Sequence, residues 1–334
     1  MKTVTEKKTR LWFWITVAGT VCLFFISMCL GRYGVKISDV FRFFTGQSVP
    51  ELSRRVLTNL RIPRTIVAAL VGIALSVSGV IYQGVFNNKL VSPDLLGVSS
   101  GSSVGACFAI LIGASSVIVS LFSFALGFAT VCVTVFVARL FGNRNNVVLL
   151  LSGIAIGGLM SSGVGLMKYL ADDDSKLSEM TYWLLGDVSA STYREVFVLL
   201  PIVAVCSAVA LLLGWKLNIL SFGEKEARSL GVKYKVTVFV LIVCATLLTA
   251  GAVAVSGTIG WVGLVIPNLV RLFVGSDNRK ILPFSMAFGA SFMMIVDTLC
   301  RTLAPNEIPL GVITGILGTP LFLVSIFAKR KEIS

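Results

Sequence analysis

Asp297 and Arg301 stand four residues apart near the end of a long apolar run. An acid and a base at that spacing lie one helical turn apart and form an ion pair. An ionisable group inside a membrane is also where an ion-coupled transporter keeps its relay. A relay needs several such groups, and nearly all the other acids fall between the apolar runs rather than in them. Other reactive chemistry is sparse. The chain has no histidine, so the commonest general base and metal ligand is missing. It has no G-x-x-x-x-G-K-[ST] phosphate loop and no H-E-x-x-H. Its seven cysteines, at 22, 29, 107, 132, 206, 244 and 300, lie in or beside apolar runs without a C-x-x-C. They read as small packed or lipid-facing residues, not as a disulfide framework. We expect no catalytic residue, no metal site and no cofactor bound by this chain. If it performs energised work, another subunit supplies the energy.

Charge gathers instead in "SFGEKEARSLGV", residues 221–232, where Glu224, Lys225, Glu226 and Arg228 interrupt two apolar runs. Ser221-x-x-Glu224 has the form of a capping box, and Gly231 falls where a left-handed helix stop belongs. The spacing predicts a helix of two to three turns, with a Glu224–Arg228 pair and a small apolar face of Ala227 and Leu230. Such a helix is either a solvated loop element or a plug for a soluble partner. A second group, Arg32, Lys36, Arg42, Arg54, Arg55, Arg61 and Arg64, is balanced by only Asp39 and Glu51.

The elements that hold these groups are membrane spans. Hydrophobic residues make up 56% of the chain and charged residues 13%, with a mean hydropathy of +0.91. Runs of about 20 apolar residues, enough to cross a hydrocarbon core of about 30 Å, recur from end to end. We read an all-α polytopic membrane protein with a single transmembrane domain and about ten spans: 11–31, 62–82, 95–113, 115–138, 147–169, 193–213, 236–255, 257–273, 281–301 and 309–328. Gly257, Gly260, Gly263 and Pro267 interrupt the eighth. The first follows Lys7, Lys8 and Arg10 like a signal peptide, but it is longer than one and lacks an A-x-A-like site, so we expect an uncleaved span.

Lysine and arginine concentrate in the segments that share a side with the amino terminus, and "DDDSKLSE" from Asp172 to Glu179 lies on the other. Both termini and the segment 215–235 are therefore expected to be cytoplasmic. The net charge of +13 is this topological bias and implies no nucleic-acid partner. Gly72, Gly79, Gly97, Gly101 and Gly105 suit close helix approach. "VSGVI" at 77–81 and "VSGTI" at 255–259 hint at a repeat.

Several stretches together resemble the iron-siderophore and vitamin B12 (FecCD-type) family of ABC importer permeases. They are "LRIPRTIVAALVGIALSVSGVIYQGVFNN" at 60–88, "PDLLGVSSGSSVGA" at 93–106, "LLLSGIAIGGL" at 149–159 and "YWLLGDVS" at 182–189. "GEKEARSLGV", "GTIGWVGLVIPNLVRLFVGSDNRKILP" at 257–283 and "EIPLGVITGILGTPLFL" at 307–323 complete the set. Asn88-Lys89-Leu90-Val91 departs from the family's N-P-L-A, and Asn268 stands where histidine is common.

The resemblance implies a type II ABC importer permease fold and a place in the bacterial plasma membrane. It implies a second permease subunit, a cytosolic ATPase dimer that uses ATP and magnesium, and an extracytoplasmic substrate-binding protein. It places Gly223, Glu224, Ala227, Arg228, Leu230 and Gly231 in a groove of the ATPase. It sets Arg61, Arg64 and Arg301 against glutamates of the binding protein, with Arg54 and Arg55 adding steering. Asn145 and Asn146 are placed to narrow the inner mouth as a gate. The implied cargo is a ferric siderophore, with cobalamin or haem as alternatives. An ion-coupled secondary transporter built on Asp297, or a polytopic membrane enzyme, is the competing class.

Overall fold

The computed structural model describes residues 2–31, 33–141, 146–171 and 173–333; of 2–8, 146 and 329–333 only the backbone is described. Among the described residues the regular structure is helical. In chain order the α-helices are α1 (Lys2–Cys29), α2 (Ile37–Phe44), α3 (Glu51–Val56), α4 (Ile62–Val85), α5 (Val98–Leu111), α6 (Ser116–Leu140) and α7 (Asn146–Tyr169). They continue with α8 (Asp174–Leu185), α9 (Tyr193–Leu220), α10 (Glu224–Ser229), α11 (Tyr234–Ser256), α12 (Val262–Val274), α13 (Asn278–Thr302) and α14 (Leu310–Ile333).

Eight of the described helical stretches are long and apolar enough to cross a membrane, with α3 and α4 joined into one by a π-turn at Leu57–Arg61. The expected spans at 95–113 and 257–273 are instead short helices, α5 of 14 residues and α12 of 13. At 1.5 Å per residue each is about 20 Å long. A 3₁₀ turn at Pro93–Leu96 precedes α5. Before α12, the chain leaves α11 at Gly257 (φ 67°) and passes Trp261, also at positive φ (72°). A positive φ is a costly conformation for a bulky residue. Neighbouring backbone pairs with this break, as a non-helical segment within a bundle requires. Asp187 N donates to Ser256 O (2.8 Å), Leu310 N to Gly186 O (3.0 Å), and the Thr258 hydroxyl to Leu184 O. The repeat therefore has no structural counterpart: 77–81 lies inside α4, whereas 255–259 unwinds.

α4 is the hub, buried along most of its length and packed by α13, α11, α9 and α12. Small residues permit this. A side chain at Gly72 would strike the backbone of Gly289, and one at Gly79 that of Gly263. Gly101 and Gly105 admit α6 in the same way. Membrane helices gain nothing from excluding lipid, so such close backbone approach supplies dispersion contact that larger residues forbid. The seven cysteines are unpaired.

Hydrogen bonds define two ends of the bundle. At one, the carboxy-terminal parts of α1 and α13 meet the start of α4, through Ser27 and Thr65 (3.5 Å) and through Arg64 and Asp297 (2.7 Å). At the other, the end of α9 meets the start of α13, through Asn218 Nδ2 to Asp277 Oδ1 (2.6 Å) and Asn278 N to Asn218 Oδ1 (2.8 Å). The helix α10 lies at this second end, directly after α9. Because α1 and α14 both run from or toward it, the two termini share a side.

Candidate functional site

Helix α10 has six residues and packs against α9 and α11. The capping box does not form. Ser221 still has helical angles as the C-cap of α9, and its hydroxyl donates to Asn218 O (2.6 Å) instead of reaching forward. An N-cap side chain needs extended backbone, so the start falls to Gly223 at φ 102°. Gly231 (φ 77°) closes the helix as expected, and Val232 N returns to Ala227 O (3.0 Å). Both glycines hold angles that other residues adopt only with strain.

The expected shared face of Ala227 and Leu230 divides. Ala227 is fully buried and seats the helix on the bundle, while Leu230 is 60% exposed. Arg228 NH2 bonds Glu224 Oε1 as the i, i+4 spacing requires, and Lys225, Glu226 and Arg228 face outward. Phe222 is 67% exposed beside them. The sequence reading missed Phe222, whose signal was an aromatic in an otherwise polar connection. The result is a rigid knob, an ion pair flanked by two apolar side chains, anchored by one alanine.

At the opposite end, Arg61, Arg64 and Arg301 are all buried. Arg64 donates from Nε to Asp297 Oδ1 (2.7 Å) and pairs with Glu307 through NH1 (3.1 Å) and NH2 (2.9 Å). Arg301 approaches Asp297 Oδ2 at 3.7 Å and donates to Ser27 O (2.6 Å) and to the Ser27 hydroxyl (2.5 Å). Arg61 donates to Leu30 O and, at 3.1 Å, to Tyr33 O. Its guanidinium occupies the space that a side chain on Gly31 would fill. These arginines tie α1, α4, α13 and the segment before α14 together. A carboxylate of another protein reaches Arg61 or Arg64 only by displacing internal bonds. Arg301 borders a recess of about 500 Å³ with Gly31 and Thr302–Pro305, but it is the most buried of the three, and its Nε and NH1 are enclosed without a hydrogen-bond partner among the described residues. At this end Arg42 and Arg54 are exposed, as is Arg55, which pairs with Glu51 (2.5 Å). Asp297, with an arginine on either side, is fully enclosed.

Asn145 lies outside the described residues, and Asn146 is described only as the first residue of α7. Gly97–Gly101 spells G-x-S-x-G, the letters of a hydrolase elbow. Its Ser99 sits in the first turn of α5 and bonds Asp94, and with no histidine in the chain the constellation lacks a base.

Comparison with known proteins settles the class. The profile of the FecCD transport family matches residues 19–328. This chain belongs to the FecCD transport family. Among curated FecCD relatives, the molybdate import system permease protein MolB of Haemophilus influenzae is 36% identical over 92% of each chain. The hemin transport system permease protein HmuU of Yersinia pestis is 35% identical over 94% of this chain and 96% of its own. A solved structure described as an inward-facing conformation of a metal-chelate type ABC transporter matches with a TM-score of 0.86 at 34% identity. It covers 95% of this chain and 99% of that one. The protein is an ABC transporter permease of the FecCD family, a multi-span membrane component whose relatives work with ATPase and binding-protein partners.

The two departures from the FecCD pattern touch one another. Asn268 Nδ2 donates to Lys89 O (2.9 Å). Beside them the buried Arg271 is held by Gln83 Oε1 and by Asn268 Oδ1 (3.4 Å). An amide side chain there supplies both a donor and an acceptor, and this polar cluster joins α12 to the segment after α4.

Proposed function

We propose that this permease imports a ferric siderophore, driven by a cytosolic ATPase dimer that grips α10 and supplied by an extracytoplasmic binding protein at the Arg64 end. It works with a second permease subunit in the bacterial plasma membrane, with both termini and α10 in the cytoplasm. The observation that carries the reading is the form of α10. Two glycines at positive φ and one buried alanine fix a very short helix that presents Lys225, Glu226 and Arg228 outward, with Phe222 and Leu230 exposed at its ends. A short helix so seated transmits the closure of a motor domain as a push on α9 and α11. Glu224 and Arg228, Phe222 and Leu230 are the gripping residues, and Gly223, Ala227 and Gly231 the mount. At the other end, the exposed Arg42 and Arg54 meet carboxylates of the binding protein, and the buried Arg61, Arg64 and Arg301 hold the platform beneath them in place. Arginine suits this because its fork holds a carboxylate bidentately.

The likeness to the Fe(3+) dicitrate transport system permease protein FecC of Escherichia coli supports a ferric chelate. The likeness to MolB supports molybdate as a second reading, and haem and cobalamin appear in the names of other relatives. The test is uptake into proteoliposomes holding the permease, its ATPase and its binding protein. ATP-dependent accumulation of radiolabelled iron supplied as ferric siderophore is expected. Accumulation of molybdate alone would replace the cargo but keep the motor; no accumulation of any of the four would sink both.

A further inference from the structure

At the Arg64 end, α6 and α9 both pack on α11 and border a cavity of about 870 Å³. Its floor is small, with Gly251 and Ala254 of α11, and its sides are apolar, with Leu121 and Phe124 of α6 and Val198 and Ile202 of α9. The volume lies within the range of about 300–1,000 Å³ typical of sites for small molecules. Leu121 and Val198 are exposed, and so are Val133, Phe136, Val205 and Leu212 farther along the same two helices. In a membrane these faces meet lipid tails, so the cavity opens sideways into the hydrocarbon.

Its mouth is different. Glu179 and Asp187 stand there with Arg194 and Glu195 of the first turn of α9, beside Tyr182 and Trp183. Tyrosine and tryptophan favour the headgroup level of a bilayer. Asp187 is held by Ser189 N (2.8 Å) and the Ser189 hydroxyl, and Glu195 by Thr192 N (2.8 Å) and the Thr192 hydroxyl (2.5 Å). A carboxylate has about four lone-pair directions, so both retain capacity for a further donor. Of the four carboxylates in the lining, Glu307 is already paired with Arg64, which leaves one guanidinium and three carboxylates to meet a zwitterion of one phosphate and one ammonium group.

We propose that this cavity is a binding site for one amine-bearing phospholipid. An acyl chain lies along Leu121, Phe124 and Ile202, the phosphate meets Arg194, and the ammonium meets Glu179, Asp187 and Glu195. The site is apart from α10, although Glu307 of its lining is the acid that pairs with Arg64, and it rests on the chain spanning a membrane, not on the cargo. Two single variants test it: Arg194→Gln at the mouth and Leu121→Trp on the exposed side wall. The full-length permease is purified in mild detergent, mixed with phosphatidylethanolamine or phosphatidylglycerol, and weighed by native mass spectrometry. Wild type is expected to retain one phosphatidylethanolamine about tenfold more than phosphatidylglycerol. Arg194→Gln is expected to lose that preference and Leu121→Trp to retain neither lipid, with ATPase capture unchanged in both. Equal retention of the two lipids by wild type, or retention untouched in both variants, would overturn the site.

Discussion

The acid-then-base pair at i, i+4 recurs in this molecule, and two of its instances stand in opposite surroundings. Glu224–Arg228 and Asp297–Arg301 are both acid-then-base pairs at i, i+4. The first stands in the open, with side chains 34% and 58% exposed, while the second is sealed, at 0% and 3%. An exposed pair contributes about 0.3–0.5 kcal/mol to its helix, so Glu224–Arg228 adds little to stability, which leaves it free for the partner role proposed above. A buried pair adds little net stability over apolar packing, yet breaking it by removing one charge costs about 3–5 kcal/mol. Asp297 is therefore structural, with Arg64 and Arg301 relying on it. Identical spacing thus says nothing of role until burial is known.

The largest effect is expected at the sealed pair. Asp297→Asn leaves Arg64 with Glu307 alone and Arg301 with no acid. A loss of about 3–5 kcal/mol should appear as a sharply lower melting temperature in detergent. A melt within error of wild type would remove the structural assignment. Next comes Gly79→Leu, which forces α4 away from α12, where overpacking costs about 1–3 kcal/mol or more. The same melting experiment reads it, and Ser38→Leu at an exposed position is the control. Gly223→Ala is smaller, about 1 kcal/mol for an alanine held at positive φ. It should weaken ATPase capture more than it lowers the melt, because it tilts the mount without touching the core. Smallest of all for stability is Glu224→Gln, about 0.5 kcal/mol or less and close to invisible in a melt.

Much of this was legible in the chain. The long spans follow from length and hydropathy alone, and Gly231 as a helix stop follows from its place after a charged helix. The interruption of the eighth span was visible in Gly257, Gly260, Gly263 and Pro267, but not that the helix would restart only at Val262. That depends on Trp261 packing against Gly318 and Phe322 of α14, a contact between distant segments. The capping box failed for a similar reason, since local spelling cannot tell whether Ser221 still belongs to the preceding helix. The burial of the three arginines was not legible. "RIPR" carries two cations at a span end, where snorkelling or docking is the ordinary fate, whereas Arg64 meets Asp297 and Glu307 more than 230 residues away and Arg61 meets the carbonyls of Leu30 and Tyr33. Burial of that kind is a tertiary property, and no spacing rule reports it.

The central claim is that α10 is an interface and the Asp297 cluster is a scaffold. One experiment separates them: capture of the cognate ATPase by detergent-solubilised permease, with the melting temperature of each sample recorded alongside. Glu224→Ala/Arg228→Ala is expected to melt like wild type and lose the ATPase. A double variant that melts like wild type and still holds the ATPase would contradict the account, because the exposed pair would then be only a solvated turn of helix.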